Sequence, residues 1–367
     1  MNLPNPSFPP STYITGITFD KFRCHRGDGD MWPITWADDD YLYGAAGDNS
    51  GSPMNFWRIH NGPTDTFWGT GWGIYLELID NQPINPKIYC QKPHVHPKFG
   101  VKPASLLCMN GVLYFAVELH NYGDNPTLNR QHNINAWMIT SVDYGRTWNL
   151  EATPIDFFSG RLASPHFLQF GKDYQGARDD YVYAFFPAGE DGGSYWENGD
   201  YLLLGRVYKF SIRDRRMWEY FSGLVSTGNG TPAEPSWSSD EHKAEPVFCY
   251  PKMTGENHIS YNPGIHRYIM GNYSFLDEAG NPRPYHAVGG WPASALRSQL
   301  TLFEAPEPWG PWSLFYQDDN WGTYGDYQPS FPTKWMSSDG KTMLMVSSGS
   351  FDDYNMTLQK VTLRLAG

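Results

Sequence analysis

One pattern recurs five times along the 367 residues, and it limits the architecture more than any other feature. Each copy has a polar lead-in, a short apolar strand, a tight turn and a second strand. The copies are GDGDMWPITWADDDYLYGAAGD (27–48), GVKPASLLCMNGVLYFAVE (100–118), RLASPHFLQFGKDYQGARDDYVYAFFP (161–187), ENHISYNPGIHRYIMGNYS (256–274) and DYQPSFPTKWMSSDGKTMLMVSS (326–348). Four carry proline near the strand start, at Pro33, Pro103, Pro165 and Pro329, where no ladder donor is needed. The turns use Asp, Asn and Gly, which supply the positive φ that hairpins require.

A third strand follows each hairpin, as in MNFWRI, AWMITSV, YLLLGRVYKF, ALRSQLTLFEA and NMTLQKVTLRL. A fourth follows in WGIYLELI, WNLEAT, MWEYFSG and WSLFYQ. The fifth copy has no fourth strand of its own, and TYITGITFD (12–20) has strand character and no copy of its own. The expected fold is therefore an all-β, five-bladed β-propeller of four-stranded antiparallel blades, with the N-terminal strand closing the last blade. It would be one domain over 1–367, with blade cores near 27–80, 100–155, 161–223, 256–317 and 326–367 plus 12–20. A pair of β-sandwiches is the plainer reading of the same strands.

Composition agrees with this and excludes other classes. The 15 Trp, 24 Tyr and 21 Phe need burial or partners, which excludes disorder. The 37 Gly and 29 Pro exclude a mostly helical chain. No run of eighteen apolar residues is present, so no membrane span is expected. A net charge of −12 makes nucleic acid a poor partner. Cys24, Cys90, Cys108 and Cys249 form no CxxC pair, which leaves at most one or two bridges. MNLPNPSFPPSTY lacks the pattern of a secretory leader, which fits an intracellular chain or one whose leader has been removed. A monomer is expected.

In such a ring, residues before strand one and after strand two share a rim. The segments LHNYGDNPTLNRQHNIN, AGEDGGSYWENGDY and YSFLDEAGNPRPYHAVGGWPAS put long loops there, and long loops on a rigid scaffold carry function. Aligning the five lead-ins sets Trp32, Lys102, Ser164, His258 and Gln328 at one level. Asp30, Gly100, Leu162, Glu256 and Asp326 lie two residues earlier, on the same side of their strands. Asp28 is two residues earlier again.

Converging carboxylates raise each other's pKa, so one holds a proton while another is ionised. Glycoside hydrolysis requires such a pair. Asp30 and Glu256 form the leading pair, with Asp326 tuning them or holding substrate. Asp48, Glu118 and Glu190 are reserves on the same rim. Asp28, Trp32, Asp48, Lys102, Glu118, His120, Arg161, His166, His258, Tyr261 and Gln328 are the expected substrate-binding groups, with Trp291 and Trp321 as stacking platforms for sugar rings. Trp148, Trp218 and Trp312 are expected to pack instead.

Two other chemistries compete. A polysaccharide lyase needs a His or Tyr base and a cation, which His258, Tyr261, Lys102 and Arg161 would supply. A non-catalytic sugar-binding propeller is the third reading. No cofactor is expected, although Gly-Asp-Gly-Asp over 27–30 also suits a turn cap or a structural calcium. CQKPHVHP holds Cys90, His94 and His96 in a weak metal pattern, with His25 beside Cys24 weaker still. No nucleotide, serine-hydrolase or zincin motif occurs.

SVDYGRTW (141–148) resembles the Asp-box hairpin of sialidase-type propellers, which lies away from the catalytic face. That resemblance makes Asp143 a turn residue. With FLQFGKDYQGARDDYVYAFFP, RVYKFSIRDRRMWEYFSG and YNPGIHRYIM, the chain also resembles the five-bladed group that includes the endo-D-arabinanases of glycoside hydrolase family 183. The likeness runs over most of the chain from about residue 27 and implies a glycoside hydrolase with inward-facing acids. It places an acid of the first blade at GDGDMWP, on Asp28 or Asp30. Lys102 departs from the pattern, standing where related hydrolases carry an acid.

Overall fold

The computed structural model describes residues 8–49, 52–60, 73–81, 83–84, 99–121, 128–129, 132–226, 228, 233–283, 286–287, 297–322, 326–349 and 355–367. Within them the chain is all-β, and its helical pieces are three-residue 3-10 turns. β1 (Ile14–Arg26) comes first. β2 (Ile34–Trp36), β3 (Leu42–Asn49), β4 (Ser52–His60) and β5 (Tyr75–Asp80) form a four-stranded antiparallel sheet in that order.

β6 (Phe99–Met109) and β7 (Val112–Asn121) make the next hairpin. After the two-residue β8 (Leu128–Asn129), β9 (His132–Ser141) pairs with β7, and β10 (Phe158–Ser159) pairs with β9. β11 (His166–Phe167) pairs with β12 (Tyr181–Ala188), and β13 (Ser194–Tyr195) bridges β12 to β9. β14 (Gly199–Tyr208), β15 (Glu219–Val225) and β16 (Glu234–Ser238) extend that sheet outward, and β17 (Phe248–Thr254) pairs with β14.

β18 (Ile259–Asn262), β19 (Arg267–Leu276), β21 (Arg297–Ala305) and β22 (Ser313–Gly322) form another four-stranded sheet, with β20 (His286–Ala287) between β19 and β21 in sequence. β23 (Tyr327–Ser330), β24 (Thr342–Ser348) and β25 (Met356–Leu365) close the chain, and β1 lies antiparallel on the outer edge of β25.

Burial follows position in the sheets. β12, β14 and β19 are packed on both faces, so they read as nearly continuous apolar runs. The outer strands β5 and β22 are half-exposed and mix polar with apolar residues. Trp148 packs on Phe56 and Phe115, Trp218 on Phe158 and Phe186, and Trp312 on Phe185. The 141–148 turn is held by Asp143, which accepts from the Thr147 amide at 2.9 Å and the Thr147 hydroxyl at 2.6 Å. The expected strand WNLEAT does not form. Asn149 makes a single bridge to Thr140, and Thr153 turns back to accept from the Met138 amide, so β10 lies beside β9 instead. Cys108 and Cys249 are free thiols; the Cys24 side chain and Cys90 lie outside the described residues.

The first or second strand of each group touches the next group. Thr35 of β2 accepts from the Cys108 amide of β6 and donates to Gln169 after β11. Ser105 of β6 accepts from the Phe167 amide at 2.8 Å. Gln169 exchanges backbone hydrogen bonds with Ile259 and Tyr261 of β18. β19 packs on β23, where a Cβ added to Gly271 would meet the Pro329 carbonyl oxygen at 2.4 Å. Ser348 of β24 accepts from the Met31 amide just before β2.

Gly271→Ala tests that contact. The obstructing atom is backbone and cannot rotate away, so denaturant unfolding should show a loss of about 1–3 kcal/mol. An unchanged midpoint and slope would contradict this packing of β19 on β23.

Candidate functional site

The polar ends of these first and second strands meet in one buried cluster. Asp30 precedes β2 and exchanges backbone hydrogen bonds with Gly47 at 2.8 and 2.9 Å. Its carboxylate accepts from the Tyr327 hydroxyl at 2.8 Å. Lys102 on β6 stands directly opposite Glu118 on β7, and Gly100 opposite His120. Lys102 is buried and forms an ion pair with Asp48, whose side chain is 43 % exposed. His120 hydrogen-bonds Glu118 within the same strand, and its ring stacks near Trp196 at 6.3 Å.

Glu256 is the hub. Its Oε1 accepts from Ser164 Oγ at 2.9 Å and Asn133 Nδ2 at 3.1 Å, and its Oε2 accepts from Gln328 Nε2 at 2.6 Å. His166 shares Ser164 at 2.8 Å and comes within 3.8 Å of Glu256. The His258 ring lies edge-on to His166 at 5.2 Å. Glu118, His166 and Glu256 each place one ligand atom within 4.8 Å of the others. Glu118 and Glu256 have no exposed surface.

Burial decides the protonation of this cluster. It pushes Glu118 up to about 7. Glu256 stands well above its ordinary value, first through burial and then through the facing Glu118. Burial also raises Asp30, but Lys102 works against it, with Tyr327 and His120 helping Lys102 and Asp48 opposing. The imidazoles move the other way. His120 and His258 are each lowered to about 4 by burial, and His166 lies well below its ordinary value through burial and the nearby His258. The arrangement is a glutamate pair that retains a proton at neutral pH, an aspartate raised by burial with Lys102 opposing that rise, and neutral histidines. Several carboxyl groups with shifted proton affinity thus lie in one buried cluster.

The strand-start alignment is corrected by two residues. Asp30, Lys102, Ser164, Glu256 and Gln328 come together, instead of Asp30 with Gly100, Leu162 and Asp326. Two residues is one full pleat, so the side of the strand is kept while the depth changes. Asp326 is also buried. A Cβ added to Gly322 would lie 3.3 Å from the Asp326 carboxyl carbon and from Ser298 Oγ, which places that acid beside the end of β22.

Other expected ligands also stand apart. Trp32 is a core residue, its indole donating to the Gly29 carbonyl and packing near Trp57. Trp321 is buried in the core between β19, β22 and β23. Tyr261 points to the other end of β18, where it meets His266, Phe170 and Tyr268. Arg161 donates to the Glu241 carbonyl, which leaves His258 and Lys102 as the members of the lyase set in the cluster. Glu190 is exposed, and its amide donates to Asp200. Asp28 is half-buried in the turn before Asp30. Trp291, Cys90, His94 and His96 lie outside the described residues, as do the side chains of Cys24 and His25.

Asn133, Tyr327 and Glu197 are in or beside the cluster and escape the repeat alignment. Glu197 is wholly buried and acts on Tyr273 together with Glu256. Asn133 and Glu197 come from the third strand and the rim loop, where no repeated pattern marks them. Tyr327 is adjacent to Gln328, and the alternation of a regular strand would point it away. Gln328 has φ of 51°, which breaks the alternation, and Met31 and Trp32 have φ of 75° and 47° at the equivalent place before β2. β8 of the loop after β7 pairs with β20 of the loop after β19, tying these two loops to each other.

Two side-chain sets among the described residues could hold a metal: Glu118, His166 and Glu256 in the cluster, and Asp38, Cys108 and Asp173 at the far ends of the strands. The first set offers buried carboxylates and a neutral imidazole, a mixed N/O set that suits a divalent cation. In the second, burial holds the Cys108 thiol protonated, with the nearby Asp173 opposing thiolate formation further.

No family model and no curated protein matches the chain. Solved structures do. A candidate hydrolase of Bacteroides ovatus superposes with a TM-score of 0.53 at 11 % identity, covering 93 % of this chain and 87 % of that one. At that identity the match shows a shared fold. The GH43_1 enzyme of Xanthomonas citri gives a TM-score of 0.47 at 11 % identity, covering 92 % and 90 %. The GH43 endo-arabinanase of Bacillus licheniformis gives 0.44 at 12 % identity, covering 92 % and 95 %.

The raised Glu118 predicts a pH signature. It keeps its proton in the fold at pH values where the unfolded chain, with an ordinary value of 4.5, has lost it. Stability from this group is therefore full below about 4.5 and is lost as pH rises to about 7. Glu118→Gln removes that loss. Its stability relative to the parent should climb from pH 4.5 to 7 and level off above, on the order of 1 kcal/mol per unit of the shift. A pH-independent difference in denaturant midpoints would show that Glu118 is ionised in the fold.

Proposed function

We propose that the chain is a glycoside hydrolase built on a five-bladed β-propeller closed by its N-terminal strand. The contacts that run from β2 through β6, β11, β18 and β23 and back to the residues before β2 support the ring, and the β1–β25 pairing supports its closure. The observation that carries the activity is the meeting of three buried carboxylates from three separate hairpins, Asp30, Glu118 and Glu256, around one lysine.

Roles follow from the environments. Glu256 is the general acid. Glu118 faces it across a distance at which both cannot ionise, so the pair holds the proton until the leaving-group oxygen takes it. Ser164, Asn133 and Gln328 fix the Glu256 carboxyl and would stabilise the charge left on it. Asp30 is the partner carboxylate, acting as base on water or as nucleophile; burial raises it, and Lys102 and Tyr327 oppose that rise. Neutral His120 and His258 are polar contacts for sugar hydroxyls. With Tyr261 and Arg161 outside the cluster, a lyase would have to work with His258 as base and Lys102 as cation. The resemblance to the endo-D-arabinanase group makes arabinan the first substrate to try.

Digestion of a neutral polysaccharide panel, led by arabinans and scored by reducing ends, tests this. Glu256→Gln and Asp30→Asn should each lower turnover by roughly 10²–10⁴-fold with the fold intact by circular dichroism. Near-parental turnover in both variants would remove these carboxylates from the chemistry. Binding of a glycan with no product from any substrate would favour the sugar-binding reading.

A further inference from the structure

A second polar cavity lies at the opposite ends of the same strands. It has a volume of about 510 Å³ and is lined by Asn110 of the β6–β7 turn, Asp173, Asp179 and Asp180 of the β11–β12 connection, and Lys209 after β14. Lys102 and Met109 are the two ends of this geometry on β6; seven residues of strand separate them by roughly 23 Å. The cavity is therefore remote from Glu118 and Glu256.

Two exposed aromatics adjoin Lys209, one of its lining residues. Phe210 is 70 % exposed and Tyr208 is 40 % exposed, and they flank Lys209, which lines the cavity. Their rings meet edge to face at 5.5 Å, and Tyr208 also contacts Tyr181 at 6.4 Å. Lys209 is fixed between them, its ammonium 2.6 Å from Asp180 and 5.4 Å from the Phe210 ring centroid. Asp173 and Asn110 have φ of 50° and 54°, so both turns that floor the cavity are held in the left-handed region. Large exposed aromatics beside a cavity of carboxylates, an amide and an ammonium match what a sugar ring offers. A pyranose or furanose has an apolar C–H face for stacking and an edge of hydroxyls for acceptors and donors. Three aspartates against one lysine exclude uronates and favour a neutral glycan.

We propose that this cavity and the adjoining Tyr208–Phe210 pair form a second binding site for a neutral oligosaccharide, on the face opposite the carboxylate cluster. It would hold a polymer without cutting it. The site stands on its own geometry and does not require the cluster to be hydrolytic.

Affinity electrophoresis through gels containing arabinan, xylan, mannan or β-glucan tests this, using the full chain. At least one neutral polymer should retard the parent and the Glu256→Gln variant alike. Tyr208→Ala combined with Phe210→Ala, two exposed positions, should weaken that retardation about tenfold, the loss of two stacking contacts. The double variant should still match the parent in turnover of short soluble substrates. Retardation that is unchanged in the double variant, or absent with every polymer, overturns the proposal. Retardation lost in Glu256→Gln but kept in the double variant would move all glycan binding to the carboxylate cluster.

Discussion

The pairing of β1 with β25 is the contact on which the other arrangements rest. It joins residues near the two ends of the chain, from Ile14 opposite Leu365 to Arg26 opposite Met356. Without it the last sheet would have three strands, and β25 would present an open edge. With it, β23 and β24 are held against the residues before β2, through the Ser348 contact to Met31 and the Tyr327 contact to Asp30. The candidate site lies across this junction. Asp30 comes from the first hairpin and Gln328 from the last, and both serve the same cluster.

The second constraint is electrostatic. Several acids are buried in a small volume with one lysine nearby, and that lysine is shared with Asp48 at the surface. Removing so many carboxylates from water is tolerable only if some keep their protons and the rest are hydrogen-bonded. Glu256 meets this with three donors and Asp30 with Tyr327, while the Glu118–Glu256 contact meets it by retaining a proton. The backbone serves the same end. Left-handed φ at Met31, Trp32 and Gln328 brings successive side chains where regular alternation would not. Such strain persists only where the surrounding packing over-determines it, as the buried hydrogen bonds of Tyr327 and Gln328 do here.

Much of the fold was legible because its signals are local. Short apolar runs and turn residues recur five times, with prolines near four of the strand starts, and the hairpins formed where these fall. WNLEAT failed because strand character alone does not decide a fourth strand; Thr153 found a better partner in the Met138 backbone. The site was legible in part. Asp30 and Glu256 stand out as acids at strand starts, and Glu118 and His120 as polar residues ending an apolar strand. Depth was not legible, because a shift of two residues leaves the alternation pattern unchanged. Asp326 was set level with Asp30 and Glu256 by that alignment, and it packs beside the end of β22. Trp32 and Trp321 misled in the same way: an aromatic in a Gly-rich segment has no local mark of which side it packs on.

By itself, then, the sequence determined an all-β chain of repeated antiparallel hairpins, rich in aromatics that pack between them and acidic at several strand starts. Period-two alternation and turn chemistry act over a few residues, so they can be read from a few residues. Only the tertiary structure decided which acids meet. Glu118 and Glu256 stand 138 positions apart in the chain, and Asp30 and Tyr327 stand 297 apart. Their protonation depends on the distances and the loss of water that folding creates, and neither property belongs to any one stretch of the chain.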